Sequence, residues 1–288
     1  MIIFFAKGRL GNQLFQHCAL RNLPYADSIM AFGMDSLSQH FDGHCLMGDS
    51  ATTRLIRKMF QRLGPQRLES FARRLRLLTL AEERALKGQI TFAITPGIVK
   101  KLTFVPTSFF QAENVVTRKS VGDLVIKKEI VERAALLVER VGRSRQELVF
   151  VHIRRGDYET FPSIDYPAML PLTWYQEQMQ LVRKRNPRAF FIIVSDDRPC
   201  VEKYFSGQRD VWVSDSEEGI IDFGIMTLCG GGGIMSASSF SWWGGYFCRR
   251  DNPAAIFLAP HLWFGVRQGT WTPPQIKTSW IEYRPLTV

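Results

Sequence analysis

Short apolar strands alternate with amphipathic helices in the second half of the chain, and this alternation constrains the fold more than any other feature. The apolar runs occupy residues 148–153, 190–194 and 211–213, and two weaker ones follow at 234–235 and 254–258. Helical patterns such as 173–185 separate them. Strands that are apolar throughout and alternate with helices are typical of parallel βαβ units. The pattern predicts an α/β fold built on parallel sheets.

The start of the chain repeats the strand–turn–helix pattern. Residues 2–6 are apolar, residues 7–12 supply two glycines for a tight turn, and a helical pattern follows until Pro24. A periodic helix at 130–141 ends at Gly142, where the composition changes. We therefore predict two domains, 1–145 and 146–288, with a basic helical insertion at 51–90 in the first.

Positive charge is concentrated in that insertion. The chain has a formal net charge of +10, and residues 51–90 hold ten basic residues against three acidic ones. Their spacing predicts two basic amphipathic helices that break near Gly64 and Pro65. The favoured interpretation is a helix pair that packs on a core and exposes a solvated arginine face. The alternative is a surface that rests on anionic lipid. Nucleic-acid binding is disfavoured because no recognition module accompanies the charge.

Cysteine usage and hydropathy exclude several classes of protein. The five cysteines are odd in number and scattered, and the sequence contains no Cys-x-x-Cys pair, so neither a disulfide scaffold nor a zinc site is expected. No apolar run approaches the roughly 18 residues of a membrane span. The first apolar run is too short for a signal-peptide core. We expect a cytoplasmic protein, or one peripheral at the inner face of the membrane.

Two adjacent arginines follow the most apolar strand. Arg154 and Arg155 are costly there unless they meet an anion, and guanidinium groups bind phosphate oxygens bidentately. Neighbouring strand residues point to opposite faces, so we expect one arginine to be structural and one to face a ligand. Arg154 shares a face with His152 and is the predicted ligand-binding arginine. In the structural alternative, Arg155 and Asp157 pair with each other or with nearby loops.

Two further polar segments also follow predicted strands. Ser239 and Ser241 lie at a predicted helix start, where hydroxyls and backbone amides bind anions; simple helix capping is the alternative. Asp196 and Asp197 follow residues 190–194, where a carboxylate accepts N–H groups from a guanine edge or caps a helix. A metal site is disfavoured because the spacing Asp-x-Asp is absent.

Four segments in order resemble the α-1,2-fucosyltransferase family, glycosyltransferase family 11. They are residues 8–16, 152–158, 195–197 and 238–244. The resemblance implies a B-type glycosyltransferase fold with two Rossmann-like domains that face a cleft. It implies GDP-β-L-fucose as donor, and the 2-hydroxyl of a galactoside in a surface polysaccharide or oligosaccharide as acceptor. It also implies transfer without a metal cofactor or a nucleic-acid partner.

The resemblance assigns the donor contacts to particular residues. Arg154 inherits the role of binding the donor phosphates, and Arg155 completes the cationic pocket. His152 and Asp196 or Asp197 inherit the contacts to guanine.

The remaining donor contacts come from two other segments. By the same resemblance Ser239 and Ser241 meet the diphosphate, and Asn12 and Gln13 line the cleft from the other domain. Two positions depart from the family pattern, with Arg9 where glycine is usual and Ala237 where asparagine is usual. Two alternatives therefore stay open, namely a transferase for another GDP-sugar and an inactive nucleotide-sugar-binding protein.

An inverting transfer needs a base for the acceptor hydroxyl. The candidates in or after the arginine segment are Asp157, Glu159 and Asp165. Asp157 is favoured, with the alternative that it only orients Arg155. The basic segment adds the hypothesis that the acceptor is carried on a membrane lipid.

Overall fold

The structure is a computed structural model that describes residues 1–48, 50–263 and 273–286. By its internal contacts the chain divides into two units, Met1–Val125 and Ile126–Val288. In the described ranges, none of the helices is both long enough and apolar enough to cross a bilayer. All five cysteines are free thiols.

The first unit is built on a mixed five-stranded sheet. Its elements are β1 Ile2–Phe5, α1 Leu10–Arg21, β2 Ile29–Phe32, α2 Asp35–His40, β3 Phe41–Asp42, α3 Ala51–Arg73, β4 Leu78–Leu86, β5 Gln89–Thr95, β6 Val99–Val105, α4 Arg118–Val121 and β7 Val125–Ile126. The sheet order is β2-β1-β6-β4-β5, and a short two-stranded sheet pairs β3 with β7. β1 runs parallel to β2 and β6, β6 runs parallel to β4, and the edge strand β5 is antiparallel to β4.

The basic segment forms α3 and the hairpin that follows it. Gly64 has a φ of 72° and precedes Pro65, so α3 breaks where the sequence predicts. The buried face of α3 includes Phe60 and Leu68, which belong to the same hydrophobic core cluster as Phe104 of β6. The predicted packing of the helical part on a core is therefore confirmed. The prediction of helix throughout residues 51–90 is wrong from residue 78 onwards, where β4 and β5 form a hairpin.

The second unit contains a parallel six-stranded sheet. Its elements are α5 Lys128–Glu139, β8 Leu148–Ile153, α6 Leu172–Arg185, β9 Phe190–Ser195, α7 Arg198–Phe205, β10 Val211–Val213, α8 Gly219–Leu228, β11 Gly232–Ile234, α9 Ser239–Asp251, β12 Ile256–Pro260 and β13 Glu282–Arg284. All described pairings in the order β10-β9-β8-β11-β12-β13 are parallel. The predicted α/β fold with parallel sheets is confirmed.

Helix α5 belongs to the second unit, so the division falls earlier than the predicted boundary between residues 145 and 146. The reason is packing. Ile130, Ala134 and Val138 form the buried face of α5. A Cβ at Gly224 of α8 would lie 2.8 Å from the Cβ of Ala134, so the two helices approach as closely as a glycine allows.

The strand order places a crevice between β8 and β11. Successive strands run outwards in one direction from β8 to β10 and in the other from β11 to β13. In a sheet of this order, ligands bind outside the carboxyl ends of the strands at the point where the order reverses. The segments after β8, β9 and β11 carry the second, third and fourth polar segments of the sequence.

Candidate active site

Arg154 lies directly after β8 and is surrounded by acidic and aromatic groups. Its Nη2 and Nε donate to Asp157 Oδ1 over 2.6 and 2.9 Å, and its Nη1 lies 2.9 Å from Asp196 Oδ2. Its guanidinium carbon lies 5.6 Å from the centre of the Tyr158 ring. The side chain keeps 19% of its surface exposed, so solvent still reaches a group held on three sides.

Arg155 is held by a different carboxylate. Its Nε donates to Asp197 Oδ2 over 2.9 Å, and its backbone N–H donates to Asp196 Oδ1 over 2.8 Å. Asp197 also caps α7, because its Oδ1 accepts the N–H of Cys200 over 3.3 Å. The capping alternative for Asp197 is therefore confirmed, and Asp197 links Arg155 to α7.

The structural alternative is confirmed for Arg155, which pairs with Asp197 in the loop after β9, but its pairing of Asp157 with Arg155 is wrong, since Asp157 pairs with Arg154. The cause is the short 3-10 turn Gly156–Glu159, which folds Asp157 back towards Arg154, three residues earlier in the chain. Glycine at the start of the turn leaves room for Asp196. A Cβ at Gly156 would lie 2.7 Å from Asp196 Oδ2, so a larger residue would force this carboxylate to shift from its contacts with the two arginines.

The positive charge of the arginine pair is therefore more than offset by its own acidic neighbours. Two guanidinium groups face the carboxylates of Asp157, Asp196 and Asp197. An uncompensated cationic pocket, as the sequence suggested, is not what the structure shows. An anion that binds here must exchange with a carboxylate, and the exposed Asp157, with 53% of its side chain accessible, is the easier partner to displace.

His152 is buried as the penultimate residue of β8 and links this strand to the segment after β11. Its Nδ1 lies 2.6 Å from Ser236 Oγ, and the Ser236 N–H donates to the His152 carbonyl over 3.1 Å. Burial, assisted by the charge of Arg154, lowers the pKa of His152 to about 3, so the ring is neutral at physiological pH. A neutral imidazole fits hydrogen bonding to an uncharged base rather than charge pairing with phosphate.

The serine segment after β11 divides into structural and accessible positions. Ser238 caps α9, since its Oγ accepts the Phe240 N–H over 3.3 Å. Ser241 is fully buried, and its hydroxyl is shared between the carbonyls of Ser236 and Ser238 at 3.3 and 3.1 Å. The capping alternative for Ser241 is wrong, because Ser238 caps α9, and the predicted diphosphate contact of Ser241 stays a prediction. Ser239, partly exposed in the first turn, keeps its predicted place at the helix start.

Ala237 stands between these serines and is also buried. Its carbonyl accepts the Tyr158 hydroxyl over 2.7 Å, which ties the turn after β8 to the segment after β11. Burial raises the pKa of Tyr158, so its hydroxyl stays protonated and remains a donor. The contact depends on the backbone of residue 237, so the alanine that departs from the family pattern preserves it.

Asn12 and Gln13 lie at the start of α1, in the first unit. Gln13 is buried and its amide is engaged by backbone groups: Nε2 lies 3.2 and 3.1 Å from the carbonyls of Gly8 and Gly33, and Oε1 accepts the Leu37 N–H over 2.9 Å. The Gln13 side chain therefore holds the glycine turn together, and its predicted contact to the donor stays a prediction. Asn12 Oδ1 accepts the Gln111 amide over 2.7 Å, and its predicted contact to the donor stays a prediction.

Sequence reasoning missed Asp222 in α8. Its Oδ1 accepts the Ser214 hydroxyl over 2.6 Å, and burial raises its pKa to about 6. Ser214 follows β10, so this carboxyl lies at the same edge of the sheet as the arginines. The signal available in the sequence was one acid inside the otherwise apolar run 219–228. Groups of three or more metal-ligating side chains are absent from the part of the chain that the structure describes.

Comparison with known proteins places these residues in a family context. The model described as glycosyl transferase family 11 matches residues 92–268, more than half of the chain. The O-antigen biosynthesis glycosyltransferase WbnK of Escherichia coli is 30% identical over 118 residues, which cover 40% of this chain and 38% of that protein. An alpha-1,2-colitosyltransferase of Escherichia coli is 31% identical over 121 residues, covering 40% of this chain and 41% of the relative.

A mammalian relative and two solved structures extend the comparison. Human galactoside alpha-(1,2)-fucosyltransferase 1 is 28% identical over 129 residues, covering 43% of this chain and 34% of that protein. The chain thus spans well under half the length of these curated relatives. The alpha-1,6-fucosyltransferase NodZ soaked with GDP-fucose superposes with a TM-score of 0.50 at 12% identity, over 84% of this chain and 91% of that one. POFUT1 in complex with GDP gives a TM-score of 0.48 at 11% identity, over 88% and 96%.

Proposed function

The chain belongs to glycosyl transferase family 11, and from this premise we propose that it is an inverting galactoside α-1,2-fucosyltransferase. The donor that we propose is GDP-β-L-fucose, and the acceptor is the 2-hydroxyl of a galactoside in a surface polysaccharide or oligosaccharide. Relatives named as an O-antigen glycosyltransferase and as a galactoside alpha-(1,2)-fucosyltransferase support the acceptor class.

The observation that carries the proposal is the position of Arg154. It follows β8 where the strand order reverses, and the His152–Ser236 contact joins β8 to the segment after β11. The carboxyl ends of these strands are where a sheet of this order binds nucleotides. The start of α9, with Ser239 in its first turn, lies on the same segment and offers backbone amides to an anion.

The chemistry needs stabilisation of a leaving diphosphate. As the bond between fucose C1 and the β-phosphate oxygen breaks, its electron pair stays on that oxygen, while the acceptor oxygen forms the new bond to C1. Arg154 and the α9 amides are fixed donors placed to stabilise the charge that develops. In this proposal Asp157 takes the proton of the acceptor hydroxyl, which completes the inverting displacement.

In this proposal, binding of the donor frees the carboxylate of Asp157 to act as the base. In the structure Asp157 Oδ1 receives two N–H groups of Arg154, so that oxygen is occupied. A diphosphate that takes these N–H groups leaves Oδ1 able to accept a proton. The contact of Arg154 with Asp196 remains and keeps the guanidinium in place. We propose that the base is exposed to the acceptor only after the donor has bound.

One observation supports a different sugar donor as a second candidate. The relative named alpha-1,2-colitosyltransferase indicates that similar chains transfer a sugar other than fucose. A transferase for another GDP-sugar is therefore the second candidate function. The predicted guanine contacts of His152 and Asp196 are shared by both candidates and do not separate them.

The experiment that tests the proposal combines binding with transfer. Calorimetric titration with GDP, UDP, CMP and ADP should show selective binding of GDP. Incubation with lactose and a panel of GDP-sugars, with and without EDTA, should give a fucosylated product under both conditions. Product from another GDP-sugar alone would establish the second candidate. GDP binding without transfer or donor hydrolysis would establish the inactive binding protein.

The proposal also covers where the enzyme works. We propose a cytoplasmic enzyme in peripheral contact with anionic membrane, which acts on an acceptor that a membrane lipid carries. The basic segment 51–90 supports this placement. Flotation with anionic vesicles tests the contact, and transfer to a lipid-linked galactoside in vesicles tests the acceptor.

A further inference from the structure

Exposed apolar side chains are concentrated in the basic part of the first unit. Half of the large apolar side chains that are exposed in the described ranges lie between residues 55 and 99. Four of them come together at one end of the sheet, where β4 and β6 begin. We define the apolar–basic tip by these four and the four cations beside them: Leu75, Leu77, Ile98, Val99, Arg74, Arg76, Lys100 and Lys101.

Backbone hydrogen bonds bring the two segments of the apolar–basic tip together at the amino edge of the sheet, with side chains on both of its faces. The Ile98 N–H donates to the Arg76 carbonyl over 2.8 Å, and the Val99 N–H donates to the Leu77 carbonyl over 3.0 Å. Leu77 in turn donates its N–H to Phe71 in the last turns of α3 over 3.1 Å. The tip is therefore attached to the helix and the sheet, and its side chains project from an ordered backbone.

The tip is apolar and cationic at once. Ile98 is 74% exposed and Leu75 is 56% exposed, whereas the core side chains of the same sheet are buried. Neither residues 74–78 nor residues 97–101 include an acid. The neighbouring carboxylates Glu69 and Glu82 are both within 2.7 Å of Arg73, so they are paired away from the tip. Solvation explains exposed arginine and lysine, but it does not explain four exposed aliphatic side chains among them.

We propose that the apolar–basic tip docks on an anionic lipid bilayer. Aliphatic side chains enter the boundary between headgroups and acyl chains, while arginine and lysine contact the headgroup phosphates. A second copy of the chain fits poorly, because a two-fold contact through the tip would bring four cations against four cations. Single-stranded nucleic acid fits poorly as well, because the tip carries no aromatic side chain for base stacking.

The tip lies away from the loop that holds Asn12. β1, β6 and β4 are parallel, so their amino ends share one edge, while the turn at Gly8 follows the carboxyl end of β1. Docking through the amino edge leaves that loop uncovered. The inference rests on the membrane contact of the proposed function and assigns that contact to particular residues. Lipid binding is measured without donor or acceptor, so failure of the tip to bind lipid is distinguishable from failure of fucosyl transfer.

Flotation of the full chain with lipid vesicles tests the inference. We expect it to float with phosphatidylglycerol-containing vesicles and not with pure phosphatidylcholine, and to be released as salt is raised and charges are screened. The variants Leu75→Ser/Ile98→Ser and Arg74→Gln/Lys100→Gln should each lower the vesicle partition coefficient by at least roughly tenfold. The matched controls Leu136→Ser, an exposed leucine of α5, and Lys184→Gln/Lys203→Gln should float as the wild type does.

Thermal melting checks that each variant is folded. We expect all of them to fold, because the substituted side chains are exposed. Failure of the wild type to float with anionic vesicles at low salt would overturn the inference, and so would equal flotation of the tip variants and the wild type. If the wild type bound no vesicles and sedimented as a dimer in analytical ultracentrifugation, and only the tip variants were monomeric, the surface would be assigned to a second copy and the inference would be overturned. Retention on RNA without flotation would assign it to nucleic acid and overturn the inference too.

Discussion

Arg154 and Asp157 hold each other within one short turn, with Nη2 and Nε of the arginine at 2.6 and 2.9 Å from the same carboxylate oxygen. The contact keeps the guanidinium at the carboxyl end of β8 before any ligand arrives. It also occupies the oxygen that we propose as the base. The two groups thus form an ion pair whose exchange for a diphosphate would prepare both for catalysis.

Removal of the Arg154 guanidinium should abolish most of the transfer. We expect Arg154→Ala to lower kcat by roughly 100- to 1000-fold, about 3–4 kcal/mol of barrier, because a fixed charge at the leaving group is lost. Initial rates with GDP-fucose and lactose check this. Arg185→Ala is the control, since it breaks an exposed ion pair with Glu282 in the same unit. Wild-type rates in Arg154→Ala would remove this residue from the mechanism.

Asp157→Asn should separate binding from chemistry. We expect kcat to fall by roughly 100-fold or more, as for loss of a general base. The Kd for GDP should stay the same or decrease, because the diphosphate no longer competes with a carboxylate for Arg154. Calorimetry and steady-state kinetics on the same preparation measure both quantities. A weaker affinity for GDP with an unchanged kcat would show that Asp157 only positions the arginine.

Ser239 and Ser241 should respond differently to substitution by alanine. Ser241→Ala removes a buried hydroxyl shared between two carbonyls, so we expect a loss of about 1–2 kcal/mol in the free energy of unfolding and little change in GDP affinity. Ser239→Ala should weaken GDP binding with little effect on stability. Urea denaturation and calorimetry measure the two effects. A larger loss of GDP affinity in Ser241→Ala than in Ser239→Ala would contradict this assignment.

Asp222 should make stability depend on pH in a defined direction. Burial raises its pKa from 3.8 to about 6, so between these values the folded chain holds a proton that the unfolded chain has lost. This group's contribution to stability is therefore greatest below pH 4 and declines as pH rises to 6.

Asp222→Asn keeps an acceptor for Ser214 and removes the charge. We expect it to stabilise the protein above pH 6 by at most about 3 kcal/mol and to match the wild type near pH 4. Thermal melts across this range measure the difference. A variant that is equally stabilised at pH 4 and pH 8 would show that ionisation of Asp222 is not the cause.

The second unit could be predicted from sequence because its strands are apolar on both faces. The predicted strand at 148–153 is the β8 that the structure shows, and the helix pattern before Gly142 is α5. The hairpin of β4 and β5 escaped prediction because it lies at the sheet edge. Its residues 82–87 mix glutamate, arginine and lysine, so the charge pattern of a solvated segment hides a strand.

The site could be predicted as a set of segments but not as a set of contacts. Arg154, Arg155 and Asp196 do come together, because parallel strands end at one edge. The pairing of Asp157 with Arg154 depends on the direction of the 3-10 turn after Arg155, and the spacing of residues in the sequence does not predict that direction. The internal role of Gln13 likewise depends on the distant carbonyl of Gly33, and that of Ser241 depends on the local path of the backbone between Ser236 and Ser238.

Transfer from GDP-fucose to lactose, followed by NMR, tests the central claim most directly. The account predicts a product in which α-L-fucose is linked to the galactose 2-hydroxyl, formed equally well in EDTA and lost in Arg154→Ala. Absence of product and of donor hydrolysis from a folded wild type that also fails to bind GDP would contradict it.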